Sequence, residues 1–359
     1  MLKSPELDLK LVVGDYGKAT YRAKIFAKML ETAGRTDVPV GLGLPNNPNA
    51  GGAQSRWVED YDLANYPGTI LKDGVQAMID LIMQSEQPIT VIAVGPLPNI
   101  AEALKREPRI AKKAKFVGMH GSVRRGYGGK QTIDAEWNVR ADPQSCQAAL
   151  SAPWDITITP LDTCGLVDLS GERYAKVRDS QDPIAKAVIE NYRFWSTANN
   201  PDNKVADTHS STLFDTVAVY LAITQELCTM EELGIRVDDN GFTHIDDQAK
   251  KMSVATEWKN LDQFRDFLVH RLTKVRMGRA PAEIAEGAEV YLGGGSYIGA
   301  VFCNCLGLQK TNFTPPKKKS MDQGLDPQYP PWPGRKRLSA LCALRGRLPG
   351  SGSENLVGK

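Results

Sequence analysis

The amino-acid sequence predicts an α/β protein with a mostly parallel β-sheet flanked by helices. Short apolar segments of strand type alternate with helical segments along residues 9–159. One of them, Ile89 to Val94, is a continuous apolar run, which is typical of a parallel strand covered on both faces. Strands separated by helices imply right-handed crossovers, and such crossovers place successive strands in one parallel sheet.

The predicted strands are short apolar runs that end near glycine or proline. They comprise residues 9–13, which close at Gly14, then 38–42, 89–94, 115–119 and 156–159, with a possible further strand at 289–292. Residues 234–255 are expected to alternate short strands with turns. Ligands of parallel sheets bind beyond the carboxyl ends of the strands, so those ends are where a site is expected.

The predicted helices carry apolar residues at helical spacing. They comprise residues 19–32, 73–85, 99–105, 144–151, 183–199, 212–227 and 261–276. The first ends before Gly34, the second has Val75, Met78 and Ile82 on one side, and the last is amphipathic.

Composition excludes several classes of protein. The chain has 359 residues, 42% of them hydrophobic, and a net charge of +2. This aliphatic supply is too rich for a disordered protein, and no apolar run approaches the roughly 18 residues that span a bilayer. The near-neutral charge argues against broad binding to nucleic acid or to a membrane surface. We therefore expect a cytoplasmic protein with a small-molecule partner, and we leave a homo-oligomer open.

Residues 314–359 differ from the rest of the chain. They contain seven prolines and nine Lys or Arg against three acidic residues. A basic docking segment is one interpretation, and a solvated, unstructured end is the commoner one. We predict a domain over 4–313 and a disordered, Pro-rich basic tail over 314–359.

Cofactor motifs are absent from the sequence. It has no G-x-G-x-x-G after a strand and no Walker loop, so nucleotide-cofactor folds lose their usual anchor. The six cysteines are irregularly spaced, which favours buried thiols over a zinc site or a disulfide framework.

Three motifs, taken in order, resemble the nucleoside hydrolase family of inosine/uridine-preferring N-glycosidases. They are GPLPNIA at 95–101, then MHG at 119–121 with AEWN at 135–138 and DP at 142–143, then FDTVAV at 214–219. The resemblance covers about residues 4–276. It implies cleavage of the bond between ribose and base, through a transition state with positive charge on the sugar.

The resemblance also implies a calcium ion and a set of site residues. The Asp215 carboxylate and the Val94 carbonyl would bind Ca²⁺, which holds the ribose diol and an attacking water. Glu136 and Asn138 would grip ribose hydroxyls, and Met119 would pack against the sugar. A fourth substrate-binding candidate, Asp15, lies near the place of a family asparagine.

Each candidate also has a structural alternative. Asp215 is placed to cap its helix, Glu136 and Asn138 are expected on one face of an extended segment as a hydrogen-bond pair, and Met119 alone is typical of a core.

The chain departs from the family pattern at its start. The family's Asp-rich first strand, which carries further calcium ligands and the catalytic base, has no match, and Asp8 is no substitute for it. The catalytic residue is therefore unknown, only two calcium ligands are matched, and the gap is expected to expose neighbouring strands. Phe214 also stands where the family often has a leaving-group histidine. Two hypotheses follow: a ribonucleoside hydrolase, or a truncated or non-catalytic nucleoside- or ribose-binding relative.

Overall fold

The computed structural model describes residues 1–45 and 52–274 in full and the backbone of residues 289–294. The predicted boundary between the domain 4–313 and the tail 314–359 lies outside the described residues and stays a prediction. Cys146, Cys164 and Cys228 are buried free thiols, as expected; Cys303, Cys305 and Cys342 lie outside the described residues.

Strands and helices alternate through the first half of the chain. The strands are β1 Asp8–Gly14, β2 Val40–Gly41, β3 Ile70–Leu71, β4 Ile89–Ala93, β5 Ala114–Met119, β6 Asp155–Thr159, β7 Cys228–Val237, β8 Thr243–Ile245, β9 Lys251–Trp258 and β10 Glu289–Gly294. The helices are α1 Ala19–Thr32, α2 Gly74–Gln84, α3 Pro98–Arg106, α4 Ile110–Lys113, α5 Trp137–Ala141, α6 Pro143–Ser151, α7 Leu161–Cys164, α8 Gly171–Arg178, α9 Pro183–Thr197, α10 Val205–Thr208, α11 Phe214–Leu221 and α12 Leu261–Thr273.

All these strands form one sheet in the order β3-β2-β1-β10-β4-β5-β6-β9-β7-β8. The pairs from β3 to β9 are parallel, whereas β7 pairs antiparallel with both β9 and β8. The predicted fold class, a mostly parallel sheet flanked by helices, is therefore confirmed.

Two apolar layers cover the faces of the sheet. Because successive side chains of a strand point to opposite faces, Val12 and Ile92 join one layer, with helices such as α1, α9 and α11. Leu11 and Val91 join the other layer, with α2, α3 and α6. This double cover explains why the central strands read as continuous apolar runs.

Local polar residues set the starts of the helices. The side chains of Asp73, Asp142, Asp182 and Asn260 each accept a backbone N–H from the first turn of the helix that follows. These caps satisfy donors that a helix leaves unpaired at its start. Among the described helices, none is long and apolar enough to cross a membrane.

The expected exposed edge at the centre of the sheet is corrected by the structure. β10 lies between β1 and β4 and pairs in parallel with both, so neither strand has a free edge there. The segment 289–292 was predicted as a strand from its local pattern, but that pattern held no information about its partners.

Candidate functional site

The candidate residues gather at the carboxyl ends of the parallel strands. Val94 follows β4 and Met119 ends β5, and the two strands pair with Ala93 opposite Gly118. Both side chains are buried, at 4% and 1% exposure. The neighbouring strand ends therefore bring Val94 and Met119 to one edge of the sheet, where parallel α/β folds bind ligands.

Asp15 is held beside the first turn of α3 by Asn99. The Asn99 side chain donates from Nδ2 to the Gly14 carbonyl at 2.8 Å and accepts the Leu44 N–H at 2.9 Å. Its backbone N–H donates to the Asp15 carboxylate. Burial raises the pKa of Asp15 well above the usual value despite this bond, and the nearby charge of Asp142 raises it further.

The segment around Glu136 and Asn138 is a helix start and not an extended strand, so that expectation was wrong. Glu136 is the N-cap of α5, and its carboxylate accepts the N–H groups of Asn138 at 2.9 Å and Val139 at 3.3 Å. The same carboxylate accepts the Gly121 N–H at 3.1 Å. Glu136 therefore ties the end of β5 to α5, and the structural alternative for this residue describes its observed contacts.

Asn138 leaves one polar atom unused inside the protein. Its Nδ2 donates to the Met119 carbonyl at 2.9 Å and lies 3.2 Å from the Met119 sulfur. Its buried Oδ1 accepts no hydrogen bond from the described residues. A buried amide oxygen without a donor is costly, and a hydroxyl group of a ligand would satisfy it.

Asp215 does not cap its helix, although its position in the first turn of α11 was predicted. The N-cap position belongs to Leu213, and that helix start has no side-chain cap. Asp215 is partly exposed, yet its Oδ1 is buried and accepts no hydrogen bond within the described part of the chain. The capping alternative is therefore wrong, and the carboxylate oxygen is available to a ligand.

Carboxyl groups concentrate at this edge of the sheet, in the region between the Asp15 turn, Asn138 and Asp215, which we call the hollow. Burial raises the pKa of Glu136 to about 7. Burial also raises the pKa of Asp215 well above its usual value, and the charge of Glu136 adds to that shift. Burial raises the pKa of the Cys164 thiol, and the charges of Glu136 and Asp215 raise it further, so Cys164 is close to both carboxyl groups. Repelling buried carboxylates favour a proton, a cation or hydroxyl donors between them.

Two residues that support the site were not singled out as site residues in the sequence. Asp162 accepts the N–H groups of Val123, Arg124 and Arg125 at 2.8–3.1 Å and so holds the start of residues 122–134, the glycine-rich loop between β5 and α5. His120 is fully buried and donates from Nε2 to the Gly95 carbonyl at 2.9 Å. Both residues follow strand ends, which was the only sequence signal available for them.

Aromatic rings connect the glycine-rich loop with the starts of α5 and α11. Tyr127, on the glycine-rich loop, lies edge-on to Phe214 at 6.1 Å between centroids. Its hydroxyl accepts the backbone N–H of Trp137 at 2.8 Å. Trp137 in turn meets Tyr16 edge-on at 6.2 Å. These rings offer apolar surface against which a planar group can pack.

The structure thus brings together all six candidates: Asp15, Val94, Met119, Glu136, Asn138 and Asp215. Their assigned roles stay predictions. The donor set meets the needs of a calcium ion only in part, since Ca²⁺ takes 6–8 oxygens in general. Among residues 1–45 and 52–274, no group of three His, Cys, Asp or Glu side chains is arranged to hold a metal ion.

Comparison with known proteins points to one family. A family model described as inosine-uridine preferring nucleoside hydrolase matches residues 1–273. The chain is 27% identical over 259 residues to the pyrimidine-specific ribonucleoside hydrolase RihA of Enterobacter sp. (strain 638), covering 67% of this chain and 78% of that protein. It is 28% identical over 253 residues to the inosine-uridine preferring nucleoside hydrolase of Leishmania major, covering 66% of this chain and 77% of that protein.

Solved structures show the same fold. A plant nucleoside hydrolase, PpNRh1, superimposes with a TM-score of 0.64 at 21% identity, covering 76% of this chain and 92% of the other. The purine-preferring ribonucleoside hydrolase from Gardnerella vaginalis superimposes with a TM-score of 0.63 at 22% identity, with the same coverage.

Proposed function

We propose a function on the premise that this chain belongs to the inosine-uridine preferring nucleoside hydrolase family, whose model matches residues 1–273. Membership makes the chain a hydrolase of the N-glycosidase type and supports ribonucleosides as its substrate class. We assign the ribose to the hollow at the carboxyl edge of the sheet, between the Asp15 turn, Asn138 and Asp215.

One observation carries this assignment. The hollow contains two buried acceptor oxygens that receive no hydrogen bond from any described residue, Asn138 Oδ1 and Asp215 Oδ1, one on an amide and one on a carboxyl group. A sugar diol supplies O–H donors for both, and the bond to the carboxylate is charge-assisted. The nearby apolar surface of Met119 suits the carbon face of a sugar, and the aromatic rings of Tyr127 and Phe214 suit a planar base.

The carboxylates also suit the charge that develops in the reaction. Cleavage of the bond between ribose and base places positive charge on the sugar ring. In their ionised forms Asp215 and Glu136 supply negative potential beside that ring, and such potential is stronger at a buried site than in bulk water. Glu136 acts from its capping position, since its oxygens already accept three backbone N–H groups.

Calcium remains a proposal from the family resemblance. Asp215 and the Val94 carbonyl are the described groups that we expect to bind it, and they supply too few oxygens by themselves. We route no catalytic step through the ion, and no described residue is assigned as the base that activates water.

A binding protein without catalytic activity is the second candidate. It is favoured by Phe214, which has no proton to give to a leaving base, and by the absence of a three-residue acidic cluster among the described residues. Such a protein would bind ribonucleosides and leave them intact.

An assay of the full chain separates these candidates. Inosine and uridine are incubated with the protein, with calcium or with EDTA, and free ribose is measured; binding is followed by calorimetry. Release of ribose supports hydrolysis, and a requirement for calcium supports the metal. Binding without release of ribose supports the second candidate. If the chain neither binds the nucleosides nor releases ribose, the proposal is overturned. The 2′-deoxynucleosides are the matched ligands, and we expect at least tenfold weaker binding, about 1.4 kcal/mol.

A further inference from the structure

The carboxyl end of β10 lies inside the candidate site. In the parallel ladder with β1, Val13 faces Gly293 and Gly14 faces Gly294. On the other side Gly293 faces Ala93, the residue before Val94. The Gly293–Gly294 pair therefore lies level with the Gly14–Asp15 turn and with Val94, between the two strands whose ends supply those candidates.

Contacts at the end of α12 place that end beside the residues that precede β1. Lys3 donates from Nζ to the Lys274 carbonyl at 2.6 Å, and Arg271 pairs with Glu6. Glu6 lies two residues before Asp8, the first residue of β1, and Asp8 pairs with Glu289. Helix α12 thus ends near the amino edge of the sheet, which is where a strand parallel to β1 must begin.

Two adjacent glycines are an unfavourable choice for a central strand. Glycine loses more backbone entropy than other residues and contributes no side chain to packing. In strands it is typical of places where a ligand or another backbone approaches closely. At this level of the sheet, the close neighbour on the open side is the hollow that holds Asp15 and Val94.

We infer that β10 completes the sugar site, with the backbone of Gly293 and Gly294 as its floor. This inference rests on the proposed function for the identity of the ligand. Ribose lies against the glycine backbone between the Asp15 turn and Val94, and a side chain at Gly294, the last residue of the strand, would occupy that space. Ligand binding by residues 15–215 therefore depends on a strand that follows the region matched by the family model.

Hydrogen exchange of the full chain, followed by mass spectrometry, tests the position of the strand. Amides of residues 290–294 should be protected to the same degree as those of β1 and β4. Exchange at the rate of an unstructured peptide would overturn the inference, whatever the protein binds.

Substitution tests the floor. Gly294→Val should weaken inosine and uridine binding at least tenfold while β1 and β4 stay protected. Val290→Ile, which adds bulk at the other end of the same strand, should leave binding within twofold of wild type. Where Gly294→Val loses the protection of β1 and β4, the smaller Gly294→Ala is used, with a threefold loss expected.

The outcomes separate this inference from the proposed function. If a Gly294 variant keeps the hydrogen-exchange protection of β1 and β4 and binds nucleosides as the wild type does, the glycines do not form the floor of the sugar site. The wild-type chain can also be protected at 290–294 and bind neither nucleoside nor ribose. That result overturns the proposed function and the contact between sugar and glycines, but the position of β10 between β1 and β4 remains supported.

Discussion

Asp215 shows at the scale of one residue how a binding site can oppose stability. Its buried Oδ1 has no donor in the part of the chain that the structure describes, and burial together with the charge of Glu136 raises the pKa of Asp215. Such a group costs folding free energy near neutral pH and is retained where a ligand needs it.

We therefore predict opposite effects of Asp215→Asn on binding and stability. Binding of inosine or uridine should fall at least tenfold, about 1.4 kcal/mol. The midpoint of thermal unfolding at pH 7 should rise, because a buried charge is removed. Calorimetry and thermal unfolding measure the two effects. Asp207→Asn, on an exposed residue, is the control and should change neither. A fall in thermal stability with intact binding would make Asp215 a structural residue.

His120 predicts how stability depends on pH. Burial lowers its pKa from 6.5 to about 4, against the opposing effect of its bond to the Gly95 carbonyl. The unfolded chain takes up a proton below pH 6.5, and the folded chain does so only near pH 4. Stability is therefore lost as pH falls through this window, by about 3 kcal/mol from this group.

His120→Gln should remove that part of the pH dependence, since glutamine keeps a donor for Gly95 and does not titrate. Urea unfolding at pH 7 and pH 4.5 measures the difference. His209→Gln, on an exposed histidine, should keep the wild-type slope. Equal slopes for wild type and His120→Gln would show that His120 does not cause the loss.

At the scale of elements, Asp162 supplies three of the hydrogen bonds that hold the start of the glycine-rich loop. The Asp162 carboxylate accepts three successive N–H groups, from Val123 to Arg125, at the start of α7. The same loop carries Tyr127, whose hydroxyl accepts the Trp137 N–H. Asp162 thus helps to position the aromatic rings of Tyr127 and its neighbours through the loop.

We predict that Asp162→Asn destabilises the protein by about 2–3 kcal/mol, because an amide nitrogen replaces an acceptor of charged hydrogen bonds. Amides of residues 123–125 should exchange faster, and nucleoside binding should weaken less than in Asp215→Asn. Urea unfolding and hydrogen exchange measure these effects. Asp168→Asn, on an exposed residue paired with Arg265, is the matched control and should cost less than about 1 kcal/mol.

Elements with local signals could be predicted from the sequence, and others could not. Helix α1 has the predicted bounds, because its apolar spacing and its glycine stop lie within one segment. Helix α5 was missed, because five residues are too few for a period and its start depends on a capping carboxylate. The candidate residues were found through ordered motifs, whereas the free oxygen of Asp215 and the cap of Glu136 depend on distant contacts.

At the scale of the whole molecule, one buried lysine, Lys3, contacts both the middle and the far end of the described residues 1–45 and 52–274. Lys3 lies 2.5 Å from the Asp182 carboxylate, with side-chain exposures of 8% and 3%, and it also binds the Lys274 carbonyl. Asp182 caps α9 through the N–H groups of Ile184 and Ala185. Lys3 therefore connects the residues before β1 with α9 and with the end of α12, from which the chain continues to β10.

Removing Lys3 should destabilise the protein and loosen the central strand. Lys3→Met leaves the Asp182 carboxylate buried without its cation, which costs about 3–5 kcal/mol in general. Lys3→Met/Asp182→Asn should recover much of that loss, because asparagine still accepts at the helix start without a charge. Lys10→Met, in a pair exposed at 34% and 54%, should cost less than about 1 kcal/mol. Urea unfolding measures these costs, and hydrogen exchange should show faster opening at 289–294 in Lys3→Met than in Lys10→Met. Equal exchange there in both variants would show that Lys3 does not direct the chain into the sheet.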